Sequence, residues 1–181
     1  MNDERVPRLV AFPTMTVDAL LALSEAPLVK PPPGGIAYLQ PDVPHAWVLR
    51  IWEKDVVFPP GRFTAIEAME DRIVRIQSNP HLGYLGPEAA VALVMSLRRQ
   101  LGEVGFVEAD ALRESALATE LREHGGFRAC RLRAGEWMGE IRAERAIEAG
   151  TKAAEVMKLT EDACLVKLVI WDIRGAAAMI G

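Results

Sequence analysis

The sequence predicts an α+β fold in which a mostly antiparallel sheet packs against three main helices. All twelve prolines lie at or before Pro87, and the 94 residues that follow contain none. Proline fixes φ and removes a backbone donor, so the first half is expected to be interrupted by loops and the second half regular. Segments rich in branched and aromatic residues indicate strands, and apolar residues at helical spacing indicate helices.

The proline-rich first third supports only short elements. Residues 8–12 predict a strand, and Thr16 is a suitable N-cap for a helix over residues 17–23. Residues 25–35 contain three successive prolines and a glycine pair, a pattern typical of polyproline II followed by a turn. That stretch predicts a stiff connector, or alternatively a docking segment for an aromatic groove. Residues 1–35 are therefore expected to extend from, or wrap around, a core formed by residues 36–181 of a single domain.

The remaining elements are predicted from the spacing of apolar residues and from the positions of glycine and proline. We expect strands over residues 36–40, 45–52, 127–134, 137–142 and 164–173, with 127–142 forming a hairpin. We expect the three main helices over residues 64–77, 87–101 and 108–123, and a further helix over residues 143–159. Residues 45–52 and 164–173 are apolar on both faces, which is typical of a central strand or of one facing a partner.

Composition and charge restrict the class of protein. Half of the residues are hydrophobic, a quarter are charged and the net charge is −4, as in an ordinary globular protein. Basic residues are not concentrated in either half, which argues against general nucleic-acid binding. We recognise neither a secretory signal nor an apolar run of about 18 residues, so the sequence predicts a cytoplasmic protein, or a virion-associated one if phage-encoded, without membrane contact.

Catalytic and metal-binding groupings are not recognisable. His45, His81 and His124 are far apart in sequence and form no short metal-ligand pair. None of the four serines lies in a nucleophile elbow. Cys130 and Cys164 fall in predicted strands, where a thiol is usually an inert hydrophobe. We therefore predict no catalytic residues, no metal and no cofactor.

Two alternatives remain open at this point. A small-molecule enzyme would take its acids and bases from dispersed carboxylates, His45, His81 or Lys167. A winged-helix-like DNA reader would use the order helix, turn, helix, hairpin, with Arg131 and Arg133 on the wing. Its recognition helix would be residues 108–123, whose net charge of −3 repels phosphate. Pairing of Arg131 or Arg133 with Glu140 would explain these arginines without DNA.

The leading prediction is a non-enzymatic protein–protein interaction module. We expect a subunit or accessory protein of a larger bacterial or phage assembly, of the structural, immunity or chaperone type, that binds a protein partner or itself. Aromatic residues and arginine are the usual anchors of interfaces. The predicted partner-binding residues are Trp47, Trp52, Phe58, Phe63, Arg131 and Arg133.

Overall fold

The computed structural model describes residues 5–146, 152–160 and 162–174 and confirms the α+β fold. The described elements fall into two sheets and four helices. In chain order they are β1 Arg8–Val10, α1 Val17–Leu23, β2 Ile36–Leu39, β3 Ala46–Ile51, β4 Lys54–Val57, β5 Phe63–Met69, β6 Arg72–Asn79, α2 Pro87–Glu103, β7 Val107–Ala111, α3 Glu114–His124, β8 Gly126–Ala134, β9 Trp137–Arg145, α4 Lys152–Met157 and β10 Cys164–Asp172.

The larger sheet has seven strands and is antiparallel throughout. Its order is β2-β5-β6-β10-β9-β8-β7, so β10, the last strand in the described chain, lies at the centre. Only one face of β10 is fully buried, because Lys167 and Trp171 on its other face are partly exposed, so the prediction of burial on both faces is corrected. Helices α2 and α3 pack against β8, β9 and β10 on one face of this sheet. The core lies in that layer and includes Leu97, Leu117, Ile141 and Leu168, all fully buried.

A second, three-stranded sheet was not expected, because residues 45–52 were predicted to join the main sheet. Strand β3 instead lies between β1 and β4, parallel to β1 and antiparallel to β4. Trp47, Val48 and Leu49 are all buried, so β3 is covered on both of its faces. The α1 prediction is confirmed, and the Thr16 hydroxyl accepts a hydrogen bond from the backbone N–H of Ala19.

The helix predicted over residues 64–77 is wrong, because this segment forms the hairpin of β5 and β6. Alternate side chains of β5, those of Thr64, Ile66 and Ala68, are buried, which is the two-residue period of a strand. The chain reverses at Glu70 and Asp71, whose φ values of 48° and 68° lie in the left-handed region typical of a tight hairpin turn. The apolar residues of the two strands happen to follow a helical spacing across the turn, which explains the wrong helix prediction.

The helix predicted over residues 108–123 is also only partly correct. Its first residues form β7, the exposed edge strand that pairs with β8, and α3 begins only at Glu114. Strand β9 likewise continues to Arg145, which overlaps the helix predicted from residue 143. Of the rest of that predicted helix, α4 covers Lys152–Met157, while residues 147–151 lie outside the described part of the chain.

Candidate partner-binding surface

Two of the six predicted partner-binding residues belong to the core. Trp47 and Phe58 are each 1% exposed, and their ring centroids are 4.9 Å apart. The Trp47 indole N–H donates a hydrogen bond of 2.8 Å to the backbone oxygen of Ala11. The prediction that Trp47 and Phe58 are accessible anchors is corrected here, since both belong to the buried core. Part of the aromatic surface of the proline-rich first half is thus buried in the core.

The other four residues lie at the surface, in two places. Phe63, Arg131 and Arg133 belong to β5 and β8 of the large sheet. By register they project from the face opposite α2 and α3, which we call the open face. Trp52 is 64% exposed and lies at the turn between β3 and β4 of the small sheet. Trp52 thus belongs to the small sheet, and the other three residues belong to the open face of the large sheet.

The strand register places a continuous row of side chains across all seven strands of the open face. This row joins aromatic, aliphatic and charged groups from both ends of the chain. From β2 to β7 it comprises Tyr38, Glu67, Arg75, Trp171, Met138, Arg133 and Val107. Tyr38 and Val107, at the two edges of the sheet, are among the most exposed large hydrophobic residues of the described chain.

Charged side chains surround a groove of about 400 Å³ in the middle of this face. Glu140 is buried and lies between two arginines. Its carboxylate contacts Arg142, and its second oxygen lies 3.9 Å from Nε of Arg131. The carboxylate partner of Lys167 is Glu144 on the neighbouring strand. The cross-strand pairing of Arg131 with Glu140 that the sequence suggested is confirmed.

Basic groups outnumber acidic groups on the open face, although the whole chain is acidic. The basic set is Arg75, Arg128, Arg131, Arg133, Arg142 and Lys167, and the acidic set is Glu67, Asp110, Glu140 and Glu144. Because Arg131 and Arg142 share Glu140, neither has a carboxylate of its own among the described residues. Arg133 has no carboxylate partner among the described residues, and its Nε donates to the backbone oxygen of Gly135 at 3.1 Å. The face therefore presents uncompensated guanidinium groups.

The residues considered for proton transfer each have structural hydrogen-bond partners. His45 is buried, its Nδ1–H donates to the Val43 oxygen at 2.7 Å, and its Nε2 lies 2.7 Å from the Thr64 hydroxyl. Burial lowers the pKa of His45. His81 accepts a hydrogen bond from the backbone N–H of Val166 and donates one to the Gly83 oxygen. His81 and Lys167 line different grooves of the described chain.

The element order that suggested a winged helix differs from the order in the structure. The segment between α2 and α3 contains the strand β7, which is hydrogen-bonded to β8 at the edge of the large sheet. On α2, Arg98 makes two hydrogen bonds to the carboxylate of Glu108 on β7, at 2.6 and 2.8 Å, and one to the Leu112 backbone oxygen. These contacts fix α2 against the sheet edge.

Sequence reasoning missed the contribution of β6 and β10 to the open face. Arg75 and Gln77 were assigned to a helix, whereas they alternate with the buried Ile76 along β6. Trp171 was placed in a strand buried on both sides, but its side chain is half-buried and lines the groove. A strict test for two-residue alternation in residues 63–79 would have detected the first of these.

Within residues 5–146, 152–160 and 162–174, no three His, Cys, Asp or Glu side chains are grouped as metal ligands would be. None of the helices described is long and apolar enough to cross a membrane. The open face is therefore characterised by its arginines, its aromatic residues and its groove. No protein-family model, no curated protein and no solved structure matches this chain.

Proposed function

We propose that this chain is a non-enzymatic protein-binding module, a subunit or accessory protein of a larger assembly, and that the open face is its recognition surface. One observation carries this proposal: seven strands align Trp171, Met138 and Arg133 with exposed apolar residues at both sheet edges. Aromatic residues, methionine and arginine are the residue types enriched at protein interfaces.

The partner we propose is a protein with an acidic surface. Arg131, Arg133 and Arg142 can each offer planar, bidentate donors to a carboxylate. The carboxylates of Glu140 and Glu144 between these arginines would repel a continuous line of phosphates, which favours a protein over a nucleic acid. Electrostatic attraction would raise the association rate and make the binding sensitive to salt.

Affinity capture from the native host with matched variants tests this proposal. The bait carries either the wild-type face or the double substitution Arg131→Glu and Arg133→Glu, which reverses the charge of two exposed side chains without changing the core. Arg99→Glu, at an exposed position on α2, is the control. We expect a protein that the wild type and Arg99→Glu retain at low salt and that the double variant releases.

The purified partner is then titrated at increasing salt, with duplex DNA as a parallel ligand. Weakening of the protein complex as salt rises, together with no DNA binding at low salt, agrees with the proposal. An identical set of captured proteins for all three baits would exclude the open face as the recognition surface. Tight, salt-dependent binding of DNA that the double variant loses would replace the protein partner by a nucleic acid.

A further inference from the structure

A second surface feature lies away from the groove of the open face, where the small sheet meets the β8–β9 turn. It is a cleft of about 480 Å³ whose walls include the rings of Phe12, Trp52 and Trp137, and we call it the aromatic cleft. The Phe12 and Trp137 rings stack with centroids 6.2 Å apart. Arg50 and Glu136 lie among its lining residues, so an aromatic cavity carries charged groups of both signs.

The Trp52 wall of the aromatic cleft is held in place by unusual local structure. Trp52 has a φ of 45°, in the left-handed region that bulky residues seldom adopt. Its six-membered ring lies against Gly105, where a Cβ atom would be only 2.8 Å from the indole, and near Gly135. Thus a large aromatic side chain that is mostly exposed still packs one edge of its ring against Gly105. Such an arrangement reduces the entropy that a bound ligand must overcome.

The same chain displays a segment with the chemistry that aromatic grooves bind. Pro31, Pro32 and Pro33 fix their own φ values, and Pro31 restricts Lys30 as well, so the segment is stiff and extended before any binding. Pro32 and Pro33 are exposed, and Val29 is 87% exposed, the largest value among the exposed large hydrophobic residues described. Proline-rich segments of this kind dock into aromatic-lined grooves.

The segment and the aromatic cleft also fit in size and charge, but they are not in contact within one molecule. The prolines line a different groove, beside Val17 and Asp71. Three residues of polyproline II span about 9 Å, which a cleft of this volume accommodates. Lys30 is paired with Asp18, and Glu136 with Arg174, through exposed ion pairs that contribute little and can be exchanged. Lys30 of one copy can therefore pair with Glu136 of another.

We propose that residues 30–33 of one copy dock into the aromatic cleft of a second copy, with the prolines against Trp52 and Lys30 near Glu136. The contact joins two different surfaces, so it is head-to-tail and would build rings or open chains rather than a two-fold dimer. A segment of this length buries a small area, and the association is expected to be weak. This inference is independent of the open face.

Analytical ultracentrifugation over a wide concentration range, up to about 1 mM, tests the proposal together with a peptide titration. The peptide has the sequence of residues 27–35 and carries a fluorescent label, and its binding is followed by fluorescence anisotropy. We expect concentration-dependent association of the wild type that the peptide inhibits. Trp52→Ala should lose both the association and the peptide binding. Tyr38→Ala should keep them, because Tyr38 is a similarly exposed aromatic residue that lies on the open face.

Charge reversal supplies a readout that does not depend on removing a ring. Lys30→Glu and Glu136→Lys should each weaken self-association several-fold, and the double variant should recover it because the pair is restored with opposite polarity. Circular dichroism verifies that each variant is folded. A wild type that stays monomeric at every concentration and ignores the peptide would overturn the proposal, as would association that Trp52→Ala leaves unchanged.

Discussion

Among the described glycines, Gly61 is the one at which an added Cβ atom would have the least room. It exchanges two backbone hydrogen bonds with His45, both of 2.9 Å, and packs against β6. A Cβ atom at this position would come closer than 3.0 Å to the backbone oxygen of Asn79, which cannot move without disturbing the strand. We predict that Gly61→Ala lowers the free energy of unfolding by roughly 1–3 kcal/mol in urea titrations.

Gly102→Ala is the matched control for this substitution, because a Cβ atom there meets nothing within 4 Å. Alanine is a better helix residue than glycine at the end of α2, so this variant should be as stable as the wild type or more stable by up to about 1 kcal/mol. Equal stability of Gly61→Ala and Gly102→Ala would contradict the close approach of residue 61 to β6.

His45 makes the stability depend on pH in a definite direction. Burial lowers its pKa in the folded protein, while the unfolded chain binds a proton near pH 6.5. Below about pH 6.5 the unfolded state therefore binds more protons than the folded state, and stability falls as the pH decreases toward the folded pKa. Above that range His45 contributes no pH dependence.

The measurement is the free energy of unfolding between about pH 5 and 8. We predict that the free energy of unfolding of His45→Gln falls less steeply with decreasing pH than that of the wild type. The difference in slope is up to about 1.4 kcal/mol per pH unit. His124→Gln is measured alongside as a control for the loss of an exposed histidine, since His124 is exposed at the end of α3. Parallel profiles for the wild type and His45→Gln would exclude a buried neutral imidazole.

At the scale of elements, the hairpin of β5 and β6 shows why periodicity alone was insufficient. Ile66, Met69 and Ile73 are spaced as on a helix, but Glu70 and Asp71 between them adopt positive φ and reverse the chain. Neither residue is the glycine or asparagine that normally marks such a turn. The sequence therefore lacks the turn-forming residues that would have divided one predicted helix into two strands.

The turn itself provides a prediction that distinguishes hairpin from helix. Replacing Glu70 and Asp71 by Asn and Gly should stabilise the protein by about 1 kcal/mol, because these residues favour the left-handed conformation. The expected rise in Tm is about 2–4 °C. The same replacement at Thr119 and Glu120, inside α3, should lower Tm. A lower Tm for the change at Glu70 and Asp71 would favour the helix.

At the scale of the whole molecule, the two thiols report on global unfolding. Cys130 and Cys164 are both buried in strands separated by β9, where Cys130 pairs with Ile141 and Cys164 with Arg145. That offset of two strand spacings and four residues exceeds the reach of a disulfide. Burial raises the pKa of Cys130 to about 12 and raises that of Cys164.

We predict that neither thiol reacts with a thiol-specific reagent at pH 8 in the native protein and that both react in denaturant. An added exposed thiol, Tyr38→Cys, should react at once and confirms that the reagent is active. Rapid modification of Cys130 in the native protein would show that the layer between the large sheet and α2 and α3 opens locally.

The sequence by itself determined the fold class, α1 and its Thr16 cap, α2, the β8–β9 hairpin and the apolar character of β10. These features depend on the local spacing of apolar residues and on the positions of capping and turn residues. Only the tertiary structure decided that β3 belongs to a separate sheet, that Trp47 and Phe58 are core residues, and that Arg133, Trp171 and Tyr38 share one face. Those properties depend on which strands pair and in which register, and contacts between residues far apart in the chain establish both.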